Sequence, residues 1–286
     1  MVMWVVTEAV GGLFLSGVPL LQIVWTRYLF HLLLMGLILG AAGRFDAVRT
    51  RRPWLQIFRS LLMLMMPACY AFAHEAGTAV ALGVFWIAPV LVLALAPLVA
   101  DRPPATAWIL TGLGWLGALL MYRPGEAALG WHGLSAIGMA LSFSAYVVAT
   151  RVLDRTEPLM TNLFYTAVGV FVSLSFVLPL FWVPMSARHY AGGALLASAG
   201  LAALYFLERA LRAQVPSRLA PFFFVQALLE IVLMVADDGG MPALHVAAGA
   251  LLTVFAIGIA LLGAFRASGD ETGNVHDRRA ALGERQ

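Results

Sequence analysis

Ionisable side chains interrupt several long apolar stretches of the sequence, and these residues could carry chemistry. An ionisable group at the centre of a bilayer costs about 2.5–3.5 kcal/mol on insertion scales, so such groups usually face a cavity or a partner. Glu8 is the strongest candidate, because a carboxylate there could take up a proton or bind a cationic group of a solute. Glu230 lies about twelve residues, or ~18 Å, into its predicted helix and is too deep to reach the surface. The full set is Glu8, Arg27, His31, Glu208, Arg209 and Glu230.

Several of these residues also have a purely structural interpretation. Arg27 and His31 share one helix face because they are four residues apart. Arg27 could pair with Glu8 on the neighbouring helix or extend outward to the headgroups, and a buried histidine is more often a packed core residue than a titrating one. Glu208 precedes Arg212 by one turn, which predicts an ion pair at a helix end.

Aromatic and proline residues near the middle of the apolar stretches are the second group of candidates. Aromatic ring faces can hold a flat or cationic ligand, although most aromatic residues in membranes face lipid or the core. Pro67, Pro89 and Pro221 can kink helices and free carbonyl groups to line a cavity. The aromatic candidates are Phe85, Trp86, Tyr146, Tyr205 and Phe222.

The elements that position these residues are membrane-spanning helices. Hydrophobic residues make up 62% of the 286 positions and charged residues 12%, against about 45–50% and 25% in soluble domains. A spanning helix needs about 20 apolar residues, and the apolar runs do not alternate with period two, so helices are favoured over a barrel. We predict spans at 1–16, 20–41, 54–73, 79–99, 105–122, 131–150, 160–183, 192–211, 219–236 and 243–265.

The two ends of the chain differ from the rest. The first span is short and begins at Met1. It is either a short tilted helix or a helix that lacks some N-terminal turns, and we expect the second. The loops leave no room for a soluble domain. The segment 267–286 is rich in charge and glycine and predicts a disordered cytoplasmic tail.

The arginines predict the orientation of the spans. All 18 basic residues are arginine, and cytoplasmic loops carry an excess of basic residues. Threading ten helices from a cytoplasmic N-terminus places fifteen of the 18 arginines on the inner side. Both termini are therefore predicted to be cytoplasmic, in a bacterial-type inner membrane.

The two halves of the chain resemble each other. Val99-Ala100-Asp101 ends the predicted fourth span, and Val235-Ala236-Asp237 ends the ninth, 136 residues later. Five helices per half would place the second half upside down, which is typical of secondary transporters with a site near the membrane midplane. The alternative is that any two apolar stretches look alike. The predicted repeats cover residues 1–123 and 131–266.

An ordered set of residues runs along the chain: Pro19–Tyr28, Arg59-Ser60, Pro89, Asp101-Arg102, Arg123-Pro124-Gly125 and Ala220-Pro221, among others. Over residues 4–266 this set resembles the drug/metabolite transporter superfamily, EamA-like family. The resemblance implies an all-α integral membrane fold of ten helices in a five-plus-five inverted repeat around a central cavity. Some relatives move amino acids or nucleosides, and a branch with a stretch similar to Arg27–His31 moves adenosyl-containing metabolites. Gly12 departs from that branch, which carries a lysine there.

We therefore expect a secondary transporter of a small metabolite, an amino-acid, nucleoside or adenosyl-type solute, that works by alternating access with proton coupling or by exchange. Glu8 or Glu230 would couple the movement to protons. Its expected partners are the lipid bilayer, the solute and protons, with no nucleic acid, as a monomer or homodimer. Pro89, Pro221, Arg59 and Asp101 are assigned structural roles.

Two other classes stay open, a non-transporting membrane scaffold or receptor and an intramembrane enzyme. The enzyme is disfavoured because His74-Glu75 begins a zinc-protease motif that lacks its second histidine, at Thr78. No cofactor or metal is expected, since Cys69 is the single cysteine.

Overall fold

The computed structural model describes residues 2–43, 48–238 and 241–283. These residues are helical throughout, with short turns and no strand. The helices are α1 (Val2–Phe14), α2 (Leu20–Ala41), α3 (Pro53–His74), α4 (Thr78–Phe85), α5 (Ala88–Leu95), α6 (Ala105–Tyr122), α7 (Trp131–Leu153), α8 (Leu159–Val177), α9 (Ala187–Ala213), α10 (Pro216–Leu219), α11 (Phe224–Asp238) and α12 (Leu244–Gly283).

Nine helical stretches of the described chain are long and apolar enough to cross a membrane. They coincide with the nine spans predicted from residue 20 onward. The first predicted span is shorter than expected, since α1 has 13 residues and covers ~20 Å. The start of α9 also differs, at Ala187 rather than 192, because Ser186 and His189 form a capping box there that satisfies exposed backbone groups.

Two of the nine stretches are broken helices. The stretch Thr78–Val99 is interrupted after Phe85, and Pro89 lies in the first turn of the helix that follows. The stretch Pro216–Ala236 contains a 3₁₀ turn, Ala220–Phe223, with Pro221 inside it. Proline lacks the backbone N–H and its ring clashes with the preceding turn, which explains why both helices break at these points.

The helices pack in two groups that lie against each other. In the first, which we call the α3 group, α3, α4 and α5 pack on α7. In the second, the α9 group, α1 packs on both α9 and α11. The remaining long helices flank them, with α2 against α9 and α8 against α3, and α6 packs along α12.

Polar contacts tie together the end of the bundle that carries most arginines, here called the arginine-rich end. The backbone N–H of Arg51 donates to Glu157 Oε1 at 2.7 Å. The carboxylate of Asp101 accepts from the backbone N–H and from the hydroxyl of Ser217, both at 2.7 Å. The second contact joins the end of one broken stretch to the start of the other.

The helix α12 extends past the apolar stretch that ends at Phe265 and continues to Gly283. The segment predicted to be disordered is thus helical as far as Gly283.

Close packing of α6 on α12 should depend on Gly117. A Cβ atom there would lie 2.2 Å from Thr253 Oγ1 and 2.7 Å from the carbonyl oxygen of Gly249. Overpacking of this kind costs about 1–3 kcal/mol, so Gly117→Ala should lower the melting temperature in detergent by about 2–10 °C. Gly112→Ala, on the same helix with open space around it, is the control. Equal melting temperatures for the two variants would contradict this packing.

Candidate functional site

A cavity of about 400 Å³ lies between the α3 group and the α9 group. Small-molecule sites typically measure about 300–1,000 Å³, so the cavity has the size of a metabolite site. Its wall combines aromatic rings, methionines, one arginine and one glutamine. The residues that matter here are Val24, Arg27, Tyr28, Met63, Met66, Tyr70, Phe85 and Gln226.

The cavity lies towards the end of the bundle opposite the arginine-rich end. Its lining includes Gly11 and Gly12 near the end of α1, and Leu20, the first residue of α2. It also includes Tyr70, about one turn before α3 ends, and Thr78, where α4 begins. The cavity therefore reaches that end of the bundle.

Aromatic rings pack where the two broken helices meet, beside the cavity. Trp86, after the break in the first, has its ring centroid 6.0 Å from that of Phe224 in the second. Phe143 of α7 lies between them, 5.9 Å from Phe85 and 5.3 Å from Phe223. This aromatic layer separates the cavity from a second pocket of about 200 Å³ between α7, α9 and α10.

Gln226 connects the cavity to a buried carboxylate. The side chain of Gln226 lines both the cavity and the second pocket. Its Nε2 donates to Glu230 Oε1 at 2.7 Å, and the Tyr122 hydroxyl donates to Glu230 Oε2 at 2.8 Å. Glu230 is only 8% exposed and lies one hydrogen bond away from the cavity wall.

Arg27 lines the cavity, whereas His31 does not. The Arg27 guanidinium lies 5.3 Å from the centre of the Tyr28 ring, and Tyr28 stacks on His31 at 5.7 Å. A Cβ atom on Gly200 of α9 would lie 2.5 Å from Arg27 Nε, so glycine at that position makes room for the arginine. His31 is fully buried and packs behind Tyr28.

The other candidates lie apart from the cavity wall. Trp86 belongs to the aromatic layer. Tyr146 is fully buried and lies in a polar network, and the Tyr205 hydroxyl accepts from Arg209 Nη1 at 3.0 Å. Glu8 falls within α1, but its side chain lies outside the described residues.

A fully buried arginine organises a polar network that the sequence reading did not identify. Arg59 is 0% exposed, and its guanidinium lies 4.5 Å from the centre of the Tyr146 ring. Its hydrogen-bond acceptors are Thr150 Oγ1 (2.7 Å), Thr166 Oγ1 (2.8 Å), the Asn162 carbonyl (3.0 Å), the Tyr146 hydroxyl (2.7 Å) and the Glu208 carboxylate. We call Arg59 and these five partners the Arg59 network.

The predicted ion pair of Glu208 with Arg212 is wrong. Glu208 pairs with Arg59 of α3, and Arg212 pairs instead with Asp154, at the end of α7, at 3.1 Å. A fully buried glutamate needs a buried partner, whereas Arg212 lies one turn nearer the helix end and reaches the neighbouring loop. The polar pair Asn162 and Thr166, four residues apart in an apolar helix, was the available sequence signal.

The chain is similar to three transporters of known name. A protein named S-adenosylmethionine uptake transporter from Rickettsia prowazekii (strain Madrid E) is 23% identical over 214 residues, which cover 74% of this chain and 72% of that protein. Proteins of the same name from Rickettsia conorii and Rickettsia felis are each 21% identical over 213 residues, with the same coverage. No family model matches the chain.

A solved crystal structure shares the fold. It superimposes with a TM-score of 0.76 at 18% sequence identity, over 93% of this chain and 94% of the other. The architecture described above therefore occurs in a second protein of distant sequence.

Labelling of introduced cysteines should show that the cavity opens at one end. In a Cys69→Ser background, Val24→Cys should react with a membrane-impermeant maleimide, because Val24 lines the cavity. Met35→Cys, three turns further along α2 and 1% exposed in the core, should not react. Equal rates at the two positions would contradict the position of the cavity.

Proposed function

We propose that this chain is a secondary transporter that moves a small adenosyl-type metabolite across a bacterial inner membrane by alternating access. The observation that carries the proposal is the metabolite-sized cavity between two groups of helices, next to two broken spans. Non-helical backbone at membrane depth is tolerated only where it is buried in protein or lines a cavity. Broken helices in corresponding positions of two halves point to a transporter binding site.

The packing supports ten spans in an inverted repeat, with α1 as the first. In such a repeat each span has a counterpart five spans later, so α1, α2 and α3 correspond to α7, α8 and α9. The packing of α3 on α7 and α8 is then matched by that of α9 on α1 and α2. The broken span of α4 and α5 likewise corresponds to the one that contains α11. The packing of α4 and α5 on α7 is matched by that of α11 on α1. This relation also supports membership of the drug/metabolite transporter superfamily, EamA-like family, with repeats at 1–123 and 131–266.

The substrate class follows from the cavity wall together with the similar proteins. S-adenosylmethionine combines a flat adenine ring, a sulfonium cation and an amino-acid group. The rings of Tyr28, Tyr70 and Phe85 offer faces for a flat or cationic group, and Arg27 offers a partner for a carboxylate. Glu230 is hydrogen-bonded to Gln226 of the cavity wall and is thus a carboxylate close to the cavity. Glu8 is proposed for the cationic group or a coupling proton.

The proposed direction of transport is import, in keeping with the names of the similar proteins. With the arginine-rich end in the cytoplasm, both termini are cytoplasmic and the cavity opens to the outside. A solute would enter between α2 and α4 and bind above the aromatic layer. A non-enzymatic role agrees with the names of the similar proteins.

Ligand-induced stabilisation tests the proposal. Detergent-purified protein should melt at a higher temperature with S-adenosylmethionine or adenosine, and not with polyamines or unrelated amino acids. A ligand at a hundred times its dissociation constant stabilises by about 2.7 kcal/mol, which is a shift of several degrees. Glu8→Gln and Glu230→Gln should each reduce the shift at pH 5.5 and 7.5.

Glu126→Gln is the matched control, since Glu126 is an exposed glutamate in a loop. It should retain the full shift. If Glu8→Gln and Glu230→Gln both keep the full ligand-induced rise in melting temperature, these carboxylates do not take part in binding. If no adenosyl compound raises the melting temperature, the proposed substrate class is wrong.

A further inference from the structure

We infer that the Arg59 network is the gate that closes the arginine-rich end, and that the Arg59–Glu208 ion pair breaks each time this end opens. The inference rests on the proposed alternating access and assigns residues to a step of it. Its basis is the position of the network in the fold.

The network lies directly beneath the cavity. Met63 lines the cavity wall, and Arg59 precedes it by one turn on the same face of α3, ~6 Å further from the cavity mouth. The rings of Tyr28 and Tyr146 are buried at this level. A solute leaving the cavity along α3 would therefore meet Arg59 next.

The ion pair crosses from one helix group to the other. Arg59 belongs to the α3 group, and Glu208 belongs to α9. Tyr146 and Thr150, which also accept from Arg59, are on α7 and stay within the α3 group. Separation of the two groups at this end would break the contact with Glu208 and leave those on α7 in place.

A second layer of contacts crosses between the groups nearer the end. Arg212 of α9 pairs with Asp154 after α7, and Arg151 of α7 donates to the Leu211 carbonyl of α9 at 2.6 Å. These contacts are partly exposed and can exchange with water, whereas the Arg59–Glu208 pair is fully buried. The buried contacts that cross between the groups at this end are the Arg59–Glu208 pair and the hydrogen bonds of Ser217 to Asp101, and of these the Arg59–Glu208 pair is the ion pair.

Breaking a buried ion pair by removing one partner is strongly destabilising, because the other charge is left uncompensated. In Glu208→Gln the closed arrangement loses the charge that compensates Arg59, whereas an open arrangement hydrates Arg59. The substitution should shift the protein towards opening at the arginine-rich end. Thr166→Val is the matched control, because it removes another hydrogen bond to Arg59 and leaves the ion pair in place.

Cysteine labelling from each side tests the gate in the full chain with Cys69→Ser. Leu204→Cys reports on the arginine-rich end, since Leu204 is fully buried one turn from Glu208, and Val24→Cys reports on the cavity. Glu208→Gln should raise the rate of maleimide labelling at Leu204→Cys from the arginine-rich side by at least about tenfold. It should also slow labelling at Val24→Cys from the other side. Thr166→Val should change neither rate.

Opposite changes at the two positions distinguish gating from local loosening. A rise at Leu204→Cys with no fall at Val24→Cys would overturn the gate, as would equal rates in Glu208→Gln and Thr166→Val. If Glu208→Gln does not fold, the double variant Arg59→Gln/Glu208→Gln removes the ion pair without leaving an uncompensated buried charge, and the same reciprocal changes are expected. The labelling needs no solute, so it tests the gate separately from the substrate. If the protein shows these labelling changes but binds no adenosyl compound, the proposed substrate class is wrong and the proposed gate is still supported.

Discussion

The constraint on which the structure depends is that backbone polar groups inside a membrane must be satisfied by protein. The prolines at 89 and 221 prevent two apolar stretches from forming continuous helices. The backbone N–H and C=O groups that have no helical partner at these breaks can then lie only inside the protein or along a cavity. This brings the two breaks together under a layer of aromatic rings, and the cavity forms beside them.

A second consequence concerns the charges that the interior contains. Arg59 is stable in a fully buried position because its hydrogen bonds are distributed over α7, α8 and α9. The same arrangement makes it the point at which two groups of helices are joined. Stability and movement are linked here, because the contact that neutralises the arginine also joins the two groups of helices at this end.

The elements could be predicted from the sequence, and much of the site could not. Nine spans follow from apolar length alone, and Pro89 and Pro221 mark the two breaks. Arg27 lines the cavity, as an ionisable residue within a span is expected to do. Tyr146 and Glu208 belong to the Arg59 network instead. Arg59 and Glu208 are 149 residues apart in the sequence, and the way in which their helices pack decides that these two side chains meet.

Uptake into proteoliposomes tests the central claim most directly. Vesicles reconstituted with the purified chain and preloaded with unlabelled S-adenosylmethionine should accumulate the radiolabelled compound by exchange, and excess unlabelled adenosyl solute outside should suppress the accumulation. Accumulation no faster than in protein-free vesicles, by protein that is shown to be folded, would contradict transport of an adenosyl-type solute.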